Sequence, residues 1–134
     1  MSTSLVYHAF QARTYHHVKT AFEGGVIFFH LTKKSHLRRC VLCRSTQVTL
    51  EGRRRVTLRS LPIGGKPTRL VLHLHLLRCA ACGAVHQESR DVAEPRVSYT
   101  KALKRYVLEL ARMMTLRDIQ RHLGLGWDLL NLCK

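Results

Sequence analysis

A chain of 134 residues with 46% hydrophobic content is long enough for one ordinary domain or two small ones, and too apolar to be disordered. Its 23 Lys and Arg against 8 Asp and Glu leave a formal charge of +15, for which a polyanion is the natural partner. Met1 to Phe10 lacks the basic-then-apolar order of a secretion signal, and no stretch approaches the roughly 18 apolar residues of a membrane span, so a cytoplasmic, nucleoid-associated protein is expected.

Ser4 to His17 is mixed in period, and a short helix and an irregular segment both remain open. Val18 to Phe22 and Val26 to Leu31 are β-branched and aromatic runs around Glu23-Gly24-Gly25, which predicts a hairpin with the two glycines at positive φ. Lys33 to Arg39 follows as a basic link. It holds His36, four residues before Cys40, where a surface histidine and a ligand replacing one thiolate are both open readings.

Cys40-Val41-Leu42-Cys43 and Cys79-Ala80-Ala81-Cys82 are two C-x2-C knuckles separated by 35 residues, 44 to 78. Four thiolates from two tight turns satisfy a tetrahedral zinc ion, and a reducing compartment favours ligation over disulfides. A thioredoxin-like redox role would need a βαβ setting that neither pair has. The zinc is expected to be single and structural, because a segment this small seldom folds on hydrophobic burial alone. Cys133 stands apart and reads as a buried thiol.

The long interval between the knuckles requires a hairpin that folds them back onto each other. In Arg53 to Ser60, Val56 and Leu58 share one face while Arg53, Arg55 and Arg59 share the other. After Pro62 and Gly64-Gly65, Arg69 to Arg78 sets Leu70, Leu72, Leu74 and Leu76 against Val71, His73, His75 and Leu77. Such a hairpin with metal turns at its open end is a zinc ribbon. For His73 and His75, solvent, phosphate and metal all remain open, and His86 is a similar case four residues past Cys82.

Asp91 to Pro95 turns polar and acidic and reads as a linker ending near Tyr99. Leu103, Val107, Leu110 and Met114 then recur at helical spacing, with Thr100 as N-cap. Thr115, with Asp118 three residues on, opens a second helix with Ile119 and Leu123 inward, ended by Gly124-Leu125-Gly126. Trp127 to Lys134 starts a third, which reads as truncated at about two turns. Helix, glycine turn, helix is the helix-turn-helix pattern, with Ile119, Leu123, Leu125 and Leu130 at its apolar positions; a plain helical hairpin is the rival reading. The expected fold is therefore α+β: an N-terminal segment with a hairpin (1–39), a zinc ribbon (40–90), a linker (91–99) and a helix-turn-helix-like segment (100–134).

Arg39-Cys40-x2-Cys43, the arginine-rich hairpin, Leu61-Pro62-Ile63-Gly64, Arg78-Cys79-x2-Cys82-Gly83, Tyr99-Thr100 and Trp127 together resemble the N-terminal region of insertion-sequence transposases of the ISL-three family. The resemblance covers nearly the whole chain. It implies zinc ligation by Cys40, Cys43, Cys79 and Cys82 and a part in recognising transposon ends, ahead of an RNase-H-like catalytic domain that this chain lacks. The chain departs from the family at Val41, where proline is frequent, and at Leu77, where a second basic residue often stands.

On this reading the chain is not an enzyme but a zinc-dependent module binding double-stranded DNA. Arg53, Arg55, Arg59, Arg69 and Arg78 are its expected DNA contacts on the ribbon, and Trp127, Asn131 and Lys134 lie nearest the groove. The alternative is a protein-interaction or regulatory module that self-associates as a homodimer or binds a full-length transposase. RNA binding ranks below both, because the aromatics are not arranged along a strand as stacking platforms.

Overall fold

The computed structural model describes residues 3–10, 12–35, 38–94 and 96–124. Alternating apolar residues build five strands, β1 (Tyr15–Glu23), β2 (Val26–Lys33), β3 (Val48–Ile63), β4 (Lys66–Cys79) and β5 (Val85–Gln87). Among the described residues three short helices accompany them, α1 (Thr3–Ala9), α2 (Lys101–Leu110) and α3 (Leu116–Leu123). The fold is α+β and is dominated by one mixed sheet. None of these helices is long and apolar enough to cross a membrane.

Both expected hairpins form, and each closes on a Gly-Gly pair at positive φ, 57° and 77° at Gly24 and Gly25 and 57° and 79° at Gly64 and Gly65. Two consecutive positive φ angles match the right-handed twist of the flanking strands, which is why glycine occupies both positions. The second hairpin is longer than the alternation suggested, because pairing runs from Ile63 opposite Lys66 to Val48 opposite Cys79.

Strand order is β1-β2-β4-β3, with β2 and β4 parallel from Ile27 beside Thr68 to Thr32 beside His73. The hairpins thus lie side by side with their turns at one end. β5 continues along β4 beyond β2, pairing Leu76 with Gln87 and Arg78 with Val85.

Strand alternation gives the sheet two unlike faces. On one, Ile27, Phe29 and Leu31 meet Leu70, Leu72, Leu74 and Leu58 beneath Phe10, Ala12, Val92 and Ala93. Val92, Ala93 and Val97 therefore lie against the sheet, and Tyr99 bridges in parallel to Arg59 on the free edge of β3. The leucine row stops at Leu74: Leu76 is exposed and Leu77, on the opposite face, is buried instead. Lys33 also departs from the expected basic link. It ends β2 with its side chain buried, its ammonium donating to the Ser89 carbonyl at 3.2 Å and pairing with Asp91 at 3.4 Å.

At the sheet's edge, Tyr99, Leu103, Val107, Leu110 and Ile119 form a second small core against Leu61 and Val97. The threonine caps are present as expected: Thr100 Oγ1 accepts from the Leu103 N–H, Thr115 Oγ1 from the Asp118 N–H, each at 3.2 Å. Gly124, at φ 66°, terminates α3 in the left-handed region. Leu125, Gly126, Trp127, Leu130, Asn131, Cys133 and Lys134, on which the third helix of a helix-turn-helix rests, lie outside the described residues, as do His36 and Pro95.

Candidate metal centre and basic face

The two knuckles sit at the open end of the β3–β4 hairpin, one just before β3 and one just after β4. They repeat one backbone pattern. In the first, the Cys40 N–H donates to Ser45 O and the Arg44 N–H to Cys40 O; in the second, Cys79 N–H donates to Ala84 O and Gly83 N–H to Cys79 O. Each turn needs a left-handed residue after its second cysteine, supplied by Gly83 at φ 73° and, at some conformational cost, by Arg44 at φ 60°. A bond from the Ala80 N–H to Gln47 O, 2.8 Å, joins the knuckles.

This geometry gathers four sulfurs, with one thiol atom each from Cys40, Cys43, Cys79 and Cys82 within 4.8 Å of the others. Cys40 Sγ lies 3.6 Å from Cys82 Sγ, and Cys43 Sγ 3.4 Å from Cys79 Sγ. A tetrahedral ion with metal–sulfur bonds of about 2.3 Å needs sulfurs roughly 3.8 Å apart, so the four residues fit such an ion.

The electrostatics of the knuckles divide the thiols into two kinds. Backbone N–H groups of Cys43 and Leu42 aimed at Cys40 bring its pKa down to about 6. The Cys82 N–H does the same for Cys79 and lowers it. At Cys43 the Ser45 N–H pulls downward too, but the proton shared with Cys79, burial and the neighbouring sulfurs outweigh it and push the thiol up to about 12. Cys82 is likewise raised: its Ala84 N–H is outweighed by the proton shared with Cys40 and by burial. A cation that binds all four as thiolates displaces the thiol protons that remain.

Among the described residues, no segment of the main core covers the second face of the sheet. Across it, Lys19 stands opposite His30. His73 stands opposite Arg55, His75 opposite Arg53, and Arg69 opposite Arg59. The expected contacts Arg53, Arg55, Arg59 and Arg69 therefore share one surface, while the fifth, Arg78, makes a two-pronged bond to Glu51 at 2.7 and 3.3 Å. Arg59 also donates to Gly124 O at 3.1 Å, tying the end of α3 to the sheet.

Parallel pairing of β2 with β4 brings His30 Nδ1 to 2.9 Å from His73 Nε2, with the rings stacked 5.1 Å apart. Contact at that distance requires one nitrogen to donate and the other to accept. Desolvation, then Lys19, His73 and Arg55, lower the pKa of His30. Desolvation, then Arg55, Lys19, Arg53 and His75, lower that of His73. Arg69 is lowered by desolvation and by Arg59. Desolvation is the largest cause of all three shifts, and neighbouring positive charge adds to each.

His75 is not a free surface imidazole. Its Nδ1 lies 3.0 Å from Glu88 Oε1, and Glu88 Oε2 accepts from Arg38 Nε at 3.0 Å. The Glu88 side chain is 2% exposed, so this is a buried carboxylate held by two partners and by the His75 N–H at 2.8 Å. Removing it would strand Arg38, whose side chain is 16% exposed. Glu88→Ala is expected to cost about 3 kcal/mol of stability, readable as a lower urea midpoint.

His86, on β5, has an Nε2 that is buried without a hydrogen-bond partner among the described residues, but its ring does not join the four sulfurs. Lys19 and His30 are the members of the basic face that sequence reasoning missed. The alternation of β2 already sets His30 opposite Phe29 and Leu31, but its neighbour across a non-consecutive strand pairing has no local signature. Compared with family models, with curated proteins and with solved structures, the chain shows no match.

Proposed function

We propose that this chain is a zinc-held module of transposase type that binds double-stranded DNA through the open face of its sheet, recognising transposon ends in the cytoplasm without cutting them. Zinc is the ion because four thiolates at tetrahedral spacing in a reducing compartment suit it, and with four protein ligands the site is closed and structural. The observation that carries the reading is the convergence of Lys19, Arg53, Arg55, Arg59 and Arg69 with His30 and His73 on one surface. The bordering acids are Glu23 at the hairpin turn, Glu51, bonded to Arg78, and Glu88, bonded to Arg38 and His75. A binding role also suits the remaining carboxylates, of which Asp91 and Glu94 are committed to Lys33 and Lys104.

The test is a double charge reversal. Arg53 and Arg55 are exposed on the open face, so Arg53→Glu with Arg55→Glu should leave the melting temperature unchanged and weaken duplex binding on the order of 100-fold, measured by fluorescence anisotropy. Binding unchanged by the double reversal would reject this face.

A second reading has its own observation. Val41, Leu42, Leu50, Leu76 and Val85 are exposed at the metal-bearing end, Leu42 by 68%. Apolar surface grouped in this way suits self-association or docking on a larger transposase. Light scattering that shows a dimer insensitive to salt, lost on Leu42→Lys, would favour it.

A further inference from the structure

On the covered face of the sheet, the segment that crosses β3 and β4 leaves a cavity of about 370 Å³. Val56, Leu74 and Ala93 give it apolar walls; Gln87 and Ser89 add polar groups; Arg54, Arg90 and Arg96 line it with charge. Arg54 belongs here through strand alternation. Arg53 and Arg55 face the open side, whereas Arg54 faces the same way as Leu74, its cross-strand partner.

Three arginines against two carboxylates leave the lining with an excess of positive charge. Asp91, which also lines it, is engaged by Thr14 at 2.8 Å and Lys33 at 3.4 Å, and the Glu88 carboxylate is engaged by Arg38 and His75. Among the described residues, Arg54, Arg90 and Arg96 have no acidic partner. Arg96 is held at φ 66°, a left-handed conformation that costs a non-glycine residue energy and tends to persist where a site requires it.

We propose that this cavity binds one nucleotide unit, its ring against Val56, Leu74 and Ala93 and its phosphate among Arg54, Arg90 and Arg96. The volume lies within the roughly 300 to 1,000 Å³ usual for small-molecule sites. Apolar walls accept a flat ring, Gln87 and Ser89 can meet its edge, and forked guanidinium groups match phosphate oxygens. The unit is supplied either by a free mononucleotide or by the 5′-terminal residue of a strand. The site faces away from the basic open face and goes beyond the duplex-binding reading without depending on it.

Titration calorimetry on the full, metal-loaded chain tests the proposal, with AMP, a 5′-phosphorylated single-stranded tetranucleotide and inorganic phosphate as probes. AMP is expected to bind at least about tenfold more tightly than phosphate. Arg54→Ala and Arg96→Gly should each weaken it about tenfold, the loss of one charge-assisted bond. Arg96→Gly is the cleaner variant, since glycine adopts φ 66° without strain and the fold is retained.

A tetranucleotide that binds more than about tenfold tighter than AMP assigns the site to a strand terminus; equal or weaker binding assigns it to the free nucleotide. Arg53→Glu with Arg55→Glu should leave AMP binding within about twofold, so failure of duplex binding and failure at this cavity are read separately. AMP no tighter than phosphate, or unaffected by both Arg54→Ala and Arg96→Gly, overturns the proposal.

Discussion

Cys79→Ser should reduce bound zinc from one equivalent to nearly none and release the knuckle end of the hairpin from the fold. Two facts make this effect large. Structural zinc in small peptides contributes an apparent 10 to 16 kcal/mol, roughly the whole stability of an ordinary domain. The knuckle end also has little else to hold it: Cys40, Leu77 and Cys79 are buried there, whereas Val41, Leu42, Leu50, Leu76 and Val85 are exposed.

The loss should not be uniform along the strands. Leu58, Leu70 and Leu72 remain locked against Phe29 and Leu31 in the main core, some distance from the sulfurs along the same two strands. Burial of one such leucine stabilises by about 1.5 to 3 kcal/mol, so the turn-proximal half of the hairpin keeps its own anchor. Hydrogen exchange on Cys79→Ser, or on the wild type under chelation, should therefore show lost protection over residues 40–50 and 76–87 and retained protection over 27–31 and 68–72. Protection unchanged at the knuckles would remove the metal from the architecture; protection lost everywhere would make the sheet itself metal-dependent.

Local signals in the chain make both halves of this hairpin legible. Both hairpins, their Gly-Gly turns, the threonine caps and the grouping of four cysteines follow from local signals, because turn chemistry and strand alternation act over a few residues. The parallel pairing of β2 with β4 does not. It joins strands separated by the whole first knuckle and β3, and nothing in the residues near His30 indicates His73 as a neighbour.

The same limit explains Leu76 and Leu77. Alternation places Leu76 in the leucine row, but the row is buried only as far as the covering segment reaches, and that segment is set by tertiary packing. Glu88 was illegible for a related reason: a lone acid in a polar stretch reads as solvated until the chain brings Arg38 and His75 to it.

Duplex affinity should fall steeply with salt, and more steeply in mild acid. Lys19, Arg53, Arg55, Arg59 and Arg69 are the permanent cations of the open face. If each neutralises one phosphate, log K falls against log salt with a slope of about −4.5, about a 500-fold loss between 50 and 200 mM. His30 and His73 add to this only when charged. In the free protein their folded pKa values lie below the ordinary 6.5, so both are largely neutral at pH 8.

A phosphate beside them favours their charged forms, so binding takes up protons and affinity rises as pH falls from 8 towards 6. With both protonated the slope approaches about −6.3. The free protein should respond in the opposite sense: the unfolded histidines bind protons near 6.5 and the folded ones only lower, so stability is full above about pH 6.5 and declines below it. His30→Asn with His73→Gln should abolish the acid enhancement of binding while preserving the slope seen at pH 8. A slope near zero would show that the basic face does not meet phosphate; a steep slope without pH dependence would place the polyanion on the arginines and away from the imidazole pair.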